Sequence, residues 1–355
     1  MLDDTIEEYR QFQRCSYQML GKHALKALNP FHAKGNYRAL ATHFFYKMAP
    51  KAISFCDDYV WSDEPLWNEE YWLKCAMTGG LIYSREKKLK RAYEADINSM
   101  YPWLMVNCDF ITRKGKFKVI DEIPEYEDKY QYAVFRCEIS GYDNRLFQKN
   151  RHGFYTGLDI KIAQEEGWDI ELADDGYPNM LWYTRFCRVP GKEVFSVFIN
   201  DMYTLKSNHV EGAKRAMNCL WGYLCSRSIK EVKTWKDAVV EDMSLLHKIA
   251  PRFKSGDRHE YAIKKYNIHD MQNDSQVRKK IFRFKYARFA CFMTALGRHE
   301  MYKVIKPVKK YVYRIHTDGF ITSRKVDVEV GTELGQWKTK EGACEVVNAN
   351  VVHWD

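Results

Sequence analysis

Two acids far apart in the chain, Asp96 and Asp318, and a lysine between them, Lys214, set the chemical question. Asp96 lies in Glu94-Ala-Asp-Ile-Asn-Ser-Met-Tyr-Pro102, inside an apolar run from Tyr93 to Met105, at a predicted strand end. Pro102 forbids an undisturbed helix start further on. Asp318 sits in His316-Thr-Asp-Gly319, between two β-type runs, Tyr311–Ile315 and Phe320–Thr322, at the tip of a predicted hairpin. Carboxylates brought together from distant strands can hold two divalent ions, which stabilise both the attacking and the leaving oxygen of an in-line phosphoryl displacement. Mg²⁺ suits such a site because it keeps few protein ligands and shares the phosphate oxygens of its substrate. A lysine over a triphosphate offsets charge building on leaving pyrophosphate. Each residue also has a plainer reading: Asp96 as a helix N-cap, Asp318 as a turn former, the lysines as a solvated helical face.

The elements that must position these residues follow from periodicity. Residues 1–50 read as helical, with Ile6, Tyr9, Phe12, Met19 and Leu20 at helical spacing, a break at Asn29-Pro30, and a second helix from about Tyr37 to Met48. Residues 51–75 mix Trp and Tyr with acids and read as a packed wrapping segment. Gly79-Gly80 precedes a strand at Leu81–Tyr83, as a plain turn or a point of close backbone approach. The basic cluster Arg85, Lys87, Lys88, Lys90 and Arg91 reads as a solvated hairpin loop or a phosphate contact. Residues 103–160 are strand-rich, with Tyr132–Ile139 the clearest strand, then a helix from Thr156 to Glu166 closed by Gly167 and a strand at Trp168–Leu172.

Residues 190–226 form the longest helical stretch, with a stripe of Val194, Val197, Phe198, Met202 and Leu205 and a second helix from Ala213 to Leu224. Lys206, Val210 and Lys214 are four apart, which places both lysines on one helical face. Residues 227–278 interleave Lys and Arg with Trp235, Phe253, Tyr261 and Tyr266, as in a nucleic-acid grip or an ordinary solvated insertion. A long helix is predicted from Lys279 to Ile305. The fold class is α+β, an antiparallel sheet with helices packed on it.

Composition is that of a folded, water-soluble chain. Hydrophobic residues make up 46% and charged residues 29% of 355, enough for a large core. The net charge of +9 biases the chain moderately toward polyanionic partners. The acidic start Met1-Leu-Asp-Asp has no apolar signal region, and no run of about 18 apolar residues predicts a membrane span. The cysteines lack Cys-x-x-Cys pairs, against a zinc site or a disulfide framework, and reduced thiols in a cytoplasmic location are expected.

Taken in order, these segments resemble the family B DNA polymerases, closest to the protein-primed branch of small bacteriophages and linear plasmids. Asp96-Ile-Asn-Ser-Met-Tyr-Pro102 resembles the family's Asp-x-x-Ser-Leu-Tyr-Pro; Lys214-Arg-Ala-Met-Asn218-Cys-Leu-Trp-Gly222 resembles Lys-x-x-x-Asn-Ser-x-Tyr-Gly; Tyr313-Arg-Ile-His316-Thr-Asp318 resembles the Asp-Thr-Asp motif. Thr78-Gly79-Gly80 is similar to the Tyr-x-Gly-Gly loop that joins exonuclease and polymerase portions. The resemblance covers roughly residues 76–340. It implies a palm with an antiparallel sheet plus helical fingers, and divides the chain into 1–75 (a helical remnant of an exonuclease tail), 76–190 (palm), 191–226 (fingers), 227–278 (a charged insertion) and 279–355 (palm).

By resemblance, Asp96 and Asp318 are the metal ligands, for Mg²⁺ or Mn²⁺. The backbone at Ile97 lines the triphosphate, Tyr101 packs under the deoxyribose, Lys214 and secondarily Lys206 bind phosphates, and Asn218 and Gly222 floor the nascent base pair. Thr78, Gly79 and Gly80 contact template. The departures are His316 for the first acid of the third motif, Gly319 for its serine, Cys219 and Trp221 in the second motif, and Met77 before the glycine loop. His316, with Thr317 beside it, lowers the negative charge of the site. Asp169-Ile-Glu171 and Asp327-Val-Glu329 match the exonuclease Asp-x-Glu pattern but read as ordinary strand residues. The expectation is a reduced palm-and-fingers DNA polymerase acting on primer–template and dNTP, with exonuclease and thumb absent or on separate chains and a terminal protein as a possible primer. The alternative is a non-catalytic polymerase-like subunit of a replication complex.

Overall fold

The structure, a computed structural model, describes residues 2–22, 37–49, 54–227 and 281–355. Helices α1 (Leu2–Leu20) and α2 (Tyr37–Met48) lead, and α3 (Glu69–Ala76) follows a 3-10 turn. Strands β1 (Ile82–Ser84) and β2 (Lys87–Ile97) run into α4 (Met100–Asn107). Then come β3 (Phe110–Ile111), β4 (Lys116–Lys118), β5 (Ala133–Ser140), β6 (Phe154–Thr156), α5 (Gly157–Glu166), β7 (Asp169–Leu172), β8 (Met180–Trp182) and β9 (Arg188–Val189). Helices α6 (Gly191–Ser207), α7 (Ala213–Leu224) and α8 (Ala290–Ile305) precede β10 (Val312–His316), β11 (Gly319–Thr322), β12 (Trp337–Val346) and β13 (Val352–Trp354). The chain divides into two compact units, Met1–Cys225 with Phe284–Asp355, and Ser226–Arg283. The charged stretch 228–280 lies outside the described residues.

The larger sheet has strand order β1-β10-β11-β2-β12-β13, with every neighbouring pair antiparallel. A second sheet, β4-β8-β5-β6 with β7 on β5, occupies the region between the first two motifs. Four of the five residues of the basic cluster, Lys87, Lys88, Lys90 and Arg91, sit on β2 rather than in a hairpin loop, with Arg85 in the connection from β1. Lys87, Lys88, Lys90 and Arg91 face solvent while Leu89 and Ala92 are buried, because a register shift opposite Gly342 and Cys344 breaks the two-residue alternation. Glu341 and Glu345 on β12 pair with Arg91 and Lys88 across the strands at 2.7 and 3.3 Å. Leu89, Ala92, Ile321, Cys344 and Val346 form a small core against this sheet.

The main core joins the helices through aromatic rings. Phe195 of α6 stacks on Phe45 of α2 at 5.5 Å and meets Phe110 and Phe289 at 5.5 and 5.6 Å. Burying one such ring contributes about 1.5–3 kcal/mol. The helix expected from Lys279 begins only at Ala290, among the described residues. Side chains take the backbone groups that a helix would use: the Tyr59 hydroxyl donates to Phe284 O and accepts from Ala287 N, both at 2.9 Å. Arg288 is itself fully buried against Glu69, 2.6 Å away.

Lys206 and Lys214 do not share a helical face. Helix α6 stops at Ser207, and left-handed backbone at His209 (φ 58°) and Gly212 (φ 83°) turns the chain before α7 starts. A Cβ on Gly212 would lie 2.1 Å from the Tyr37 ring, so the turn needs glycine there for space as well as for φ. Asp327–Glu329 is irregular backbone between β11 and β12 and not part of a strand. Among the described residues, no helix is long and apolar enough to cross a membrane.

Candidate active site

The sheet register brings the two acids together. Asp96 faces Gly319 on one side and Lys338 on the other. Asp318 occupies the two-residue connection between the facing residues His316 and Gly319. The Ile97 N–H donates to Asp318 O at 2.8 Å, which joins the ends of the two acidic segments through backbone. A Cβ on Gly319 would stand 3.0 Å from Asp96 Oδ1, so the glycine leaves room for the carboxylate.

Thr317 adopts φ 61°, an unfavourable conformation for a β-branched residue. The surroundings hold it there: its N–H donates to Leu81 O at 2.9 Å, and Gly80 lies so close that an added Cβ would meet Thr317 Cα at 2.9 Å. Gly79, by contrast, faces open space. Gly80→Ala is therefore expected to cost about 1–3 kcal/mol through overpacking. Gly79→Ala should stay within about 0.5 kcal/mol. Urea melts of the two variants check the contrast, and equal midpoints would contradict it.

The carboxyl of Asp96 is pushed up to about 6, by burial first and then by the charges of Asp318 and Glu94, while Lys338 and Lys214 pull it back. Burial also raises Asp318, against the lowering influence of a backbone hydrogen bond, His316, Lys214 and Arg314. Two half-buried carboxylates, the charge of Asp318 disfavouring that of Asp96, are a fitting pair for a divalent cation. No group of three or more His, Cys, Asp or Glu side chains forms a metal cage among the described residues. An ion here would take its remaining ligands from oxygens of backbone, water or substrate, which is the habit of Mg²⁺. His316 Nε2 lies 3.1 Å from Asn350 Oδ1 in the turn between β12 and β13.

Three lysines converge on this pair of acids. Lys206 Nζ donates to Asn98 Oδ1 at 2.9 Å and Ser99 Oγ at 2.6 Å, over the Tyr203 ring. Its pKa falls to about 8 through burial and the nearby charges of Lys338 and Lys214, with Asp96 opposing. The tertiary turn between α6 and α7 thus achieves the proximity that helical spacing was expected to supply. Lys338 was not anticipated; its position beside Asp96 depends on the pairing of β12 with β2. Ile97 is 2% exposed with its N–H already committed to Asp318, so that backbone donor is not free for a triphosphate.

Tyr101 and Trp221 stack face to face, with centroids 4.9 Å apart and an interplanar angle of 21°, so the first two motifs meet ring to ring. Burial and the Asp318 charge both raise the Tyr101 phenol. Lys214, Asn218 and Gly222 recur every four residues along the exposed side of α7. An open recess of about 490 Å³ is lined by Gly212, Lys214, Arg215, Asn218 and Cys219.

The Thr78–Gly80 loop is anchored from behind. Arg298 Nη1 donates to both Thr78 O and Gly79 O at 2.9 Å, and Asn150 Nδ2 donates to Thr78 Oγ1 at 3.1 Å. The guanidinium is buried against Asp159, at 2.8 Å, whose other role is to cap α5 through the Thr156 N–H. Nothing in the local sequence around Arg298 or Asp159 marks this pair, since 139 residues separate its members.

No protein-family model matches the chain, and no curated protein sequence is recognisably similar to it. Solved structures do match. Phi29 DNA polymerase complexed with primer-template DNA, as a post-translocation binary complex, aligns with TM-score 0.57 and 14% identity over 93% of this chain and 57% of that chain. Phi29 DNA polymerase complexed with primer-template DNA and incoming nucleotide substrates aligns with TM-score 0.57 and 14% identity over 91% of this chain and 56% of that one. The same polymerase complexed with single-stranded DNA aligns over 92% of this chain and 57% of that one, with TM-score 0.57. The chain therefore has a DNA-polymerase-like fold, and it spans a little over half the length of the polymerase chains that it matches.

Proposed function

We propose that the chain is the palm and fingers of a DNA-templated DNA polymerase, of the protein-primed family B kind, that joins dNMP from dNTP to a 3′-hydroxyl or a protein hydroxyl. The observation that carries this reading is the register that sets Asp96 between Gly319 and Lys338, with Asp318 tied by backbone to Ile97. It gathers Asp96 with Asp318 and Lys338, from a segment more than 100 residues away, on one antiparallel sheet, with the charges of Lys206 and Lys214 close by from α6 and α7. Asp96 and Asp318 would hold Mg²⁺ or Mn²⁺, which would supply stabilisation of the attacking and leaving oxygens.

The chain's own residues do the rest. Lys214, Lys206 and Lys338 neutralise the triphosphate. Tyr101, backed by Trp221, forms a flat platform beneath the deoxyribose, and its bulk leaves no room for a 2′-hydroxyl. Asn218 and Gly222 follow Lys214 along α7 under the nascent pair, and Thr78, Gly79 and Gly80 guide template. Primer extension on a short DNA primer–template with Mg²⁺ and separately Mn²⁺ tests the reading. Labelled dNMP on a partner protein would identify a terminal protein as primer. The competing reading, a polymerase-like subunit without catalysis, is motivated by His316 in place of an acid. It predicts nucleic-acid binding with neither extension nor metal-dependent dNTP binding.

The lysine ladder makes a pH prediction. An ordinary lysine keeps its charge to about pH 10, whereas Lys206 loses its proton near 8. Its pKa is lowered, so the cation is complete below 8 and disappears as pH rises through 8. The value of kcat/KM for dNTP, which reports the free enzyme, should fall between pH 7.5 and 9 by about tenfold. Lys206→Arg should flatten that limb, and an identical limb in the variant would exclude Lys206 as its source.

A further inference from the structure

Asn98 stands two residues after Asp96 and is 3% exposed. An asparagine side chain offers two donor hydrogens and one acceptor oxygen, and here both ends are engaged. Oδ1 accepts from Lys206 Nζ at 2.9 Å, and Nδ2 lies 2.7 Å from the Tyr203 hydroxyl, 2.5 Å from Thr332 O and 3.0 Å from Glu333 O. The Asn98 backbone is equally committed, donating to Gln336 O at 2.8 Å and accepting from Gly335 N at 2.9 Å. The Tyr203 hydroxyl in turn donates to Thr332 O. One residue thus ties together the end of β2, helix α6, and the connection that leads into β12 and Lys338.

That connection has little freedom to slide. Gly335, at φ 85°, packs so tightly that a Cβ would come within 2.3 Å of the Trp103 ring, and Glu333 N is held by Gln336 Oε1 at 2.9 Å. Among the described residues, Lys206 is held by neutral acceptors, Asn98 Oδ1 and Ser99 Oγ, with the Tyr203 ring 5.1 Å from its ammonium. Neutral acceptors orient a cation without cancelling its charge. A lysine free in solvent loses side-chain rotamer freedom on meeting a ligand, and one already held loses less.

We infer that Asn98 and Tyr203 are positioning residues which hold Lys206 pre-oriented for an anionic ligand and couple helix α6 to the 329–337 connection. The ligand class, a nucleoside triphosphate, rests on the polymerase reading, whereas the holding of Lys206 does not. A buried amide that merely satisfied a loop would alter stability alone; a positioning amide must alter the lysine.

Two readouts on the full chain separate these cases. Competitive acylation of lysines, read by mass spectrometry with Lys214 as internal reference, reports whether Lys206 is held. It should rise severalfold in Asn98→Ala and in Tyr203→Phe. Steady-state kinetics on primer–template should show KM for dNTP rising threefold to tenfold in Tyr203→Phe, with a smaller change in kcat and unchanged primer–template affinity. Tyr203→Phe removes a single oxygen, so it decides the matter even if Asn98→Ala fails to fold. Unchanged Lys206 labelling in Tyr203→Phe overturns the inference, as does a parallel loss of nucleotide and DNA binding. If the wild-type chain neither extends a primer nor binds dNTP, the polymerase reading fails, and the labelling result still supports or overturns the holding of Lys206.

Discussion

Asp318→Ala is expected to reduce template-dependent nucleotide incorporation at least 10³-fold with either Mg²⁺ or Mn²⁺. A ligand that positions a catalytic cation is worth several kcal/mol at the transition state, and about 4 kcal/mol corresponds to roughly 10³ in rate. The structural contributions of residue 318 survive the change. Its carbonyl accepts from Ile97 N and its N–H donates to His316 O, both through backbone. Stability should not fall either. The Asp318 carboxyl is raised by burial, so its stabilising contribution is present when it is protonated and is lost as pH rises through its folded value. At pH 7 the ionised group is a liability to the metal-free protein, and alanine removes it. The measurement is primer extension beside a thermal melt in EDTA. A variant that retains more than a tenth of wild-type extension would remove Asp318 from the catalytic set. A variant that loses activity together with its melting transition would make the loss structural.

Arg298→Met should produce the largest loss of stability among residues that touch the site. Arg298 and Asp159 are buried to 2% and 5% exposure, in contact at 2.8 Å. Removing one partner of such a pair leaves an uncompensated buried charge, at a cost of about 3–5 kcal/mol. For a chain of this size that corresponds to a fall in Tm of roughly 4–7 °C. The variant also frees the Thr78 and Gly79 carbonyls that the guanidinium holds, so primer–template affinity should drop about tenfold even at temperatures where the variant is folded. Arg288→Met provides the comparison. Its pair with Glu69 is as deeply buried, yet its other hydrogen bonds go to Asp57, Asp58 and Lys285 carbonyls and none to the glycine loop. It should cost similar stability and leave DNA affinity intact in the folded fraction. Equal effects of both variants on DNA binding would refute a specific role for Arg298 in the loop.

Several elements were legible in sequence alone. The helix closed by Gly167 has its Thr156 cap and its glycine at φ 68°, and the hairpin that carries Asp318 stands where Asp-Gly separates two β-type runs. The helices Tyr37–Met48 and Ala213–Leu224 have the bounds that periodicity assigns them. Caps, turn residues and apolar periods act over a few residues, so their signal is written into neighbouring positions. The three motifs were legible for the same reason, as short local strings.

What the tertiary structure decided is how those strings meet. Lys206 and Lys214 approach each other through a turn that helical spacing does not describe, and the Ile97 N–H closes on Asp318 instead of opening toward a ligand. Phe284 and Ala287 give their backbone groups to Tyr59, more than 200 residues away, Lys285 gives its carbonyl to Arg288, and the expected helix starts late. Lys338, Asn98, Tyr203 and Arg298 carry no motif; each owes its place to strand register or to a hydrogen bond with a residue remote in sequence. The sequence by itself determined the local elements and the acids and lysines available for chemistry. Only the folded sheet decided which of them share a face, because a strand's register is set by the packing of its partners and a one-residue slip would turn Asp96 to the opposite side.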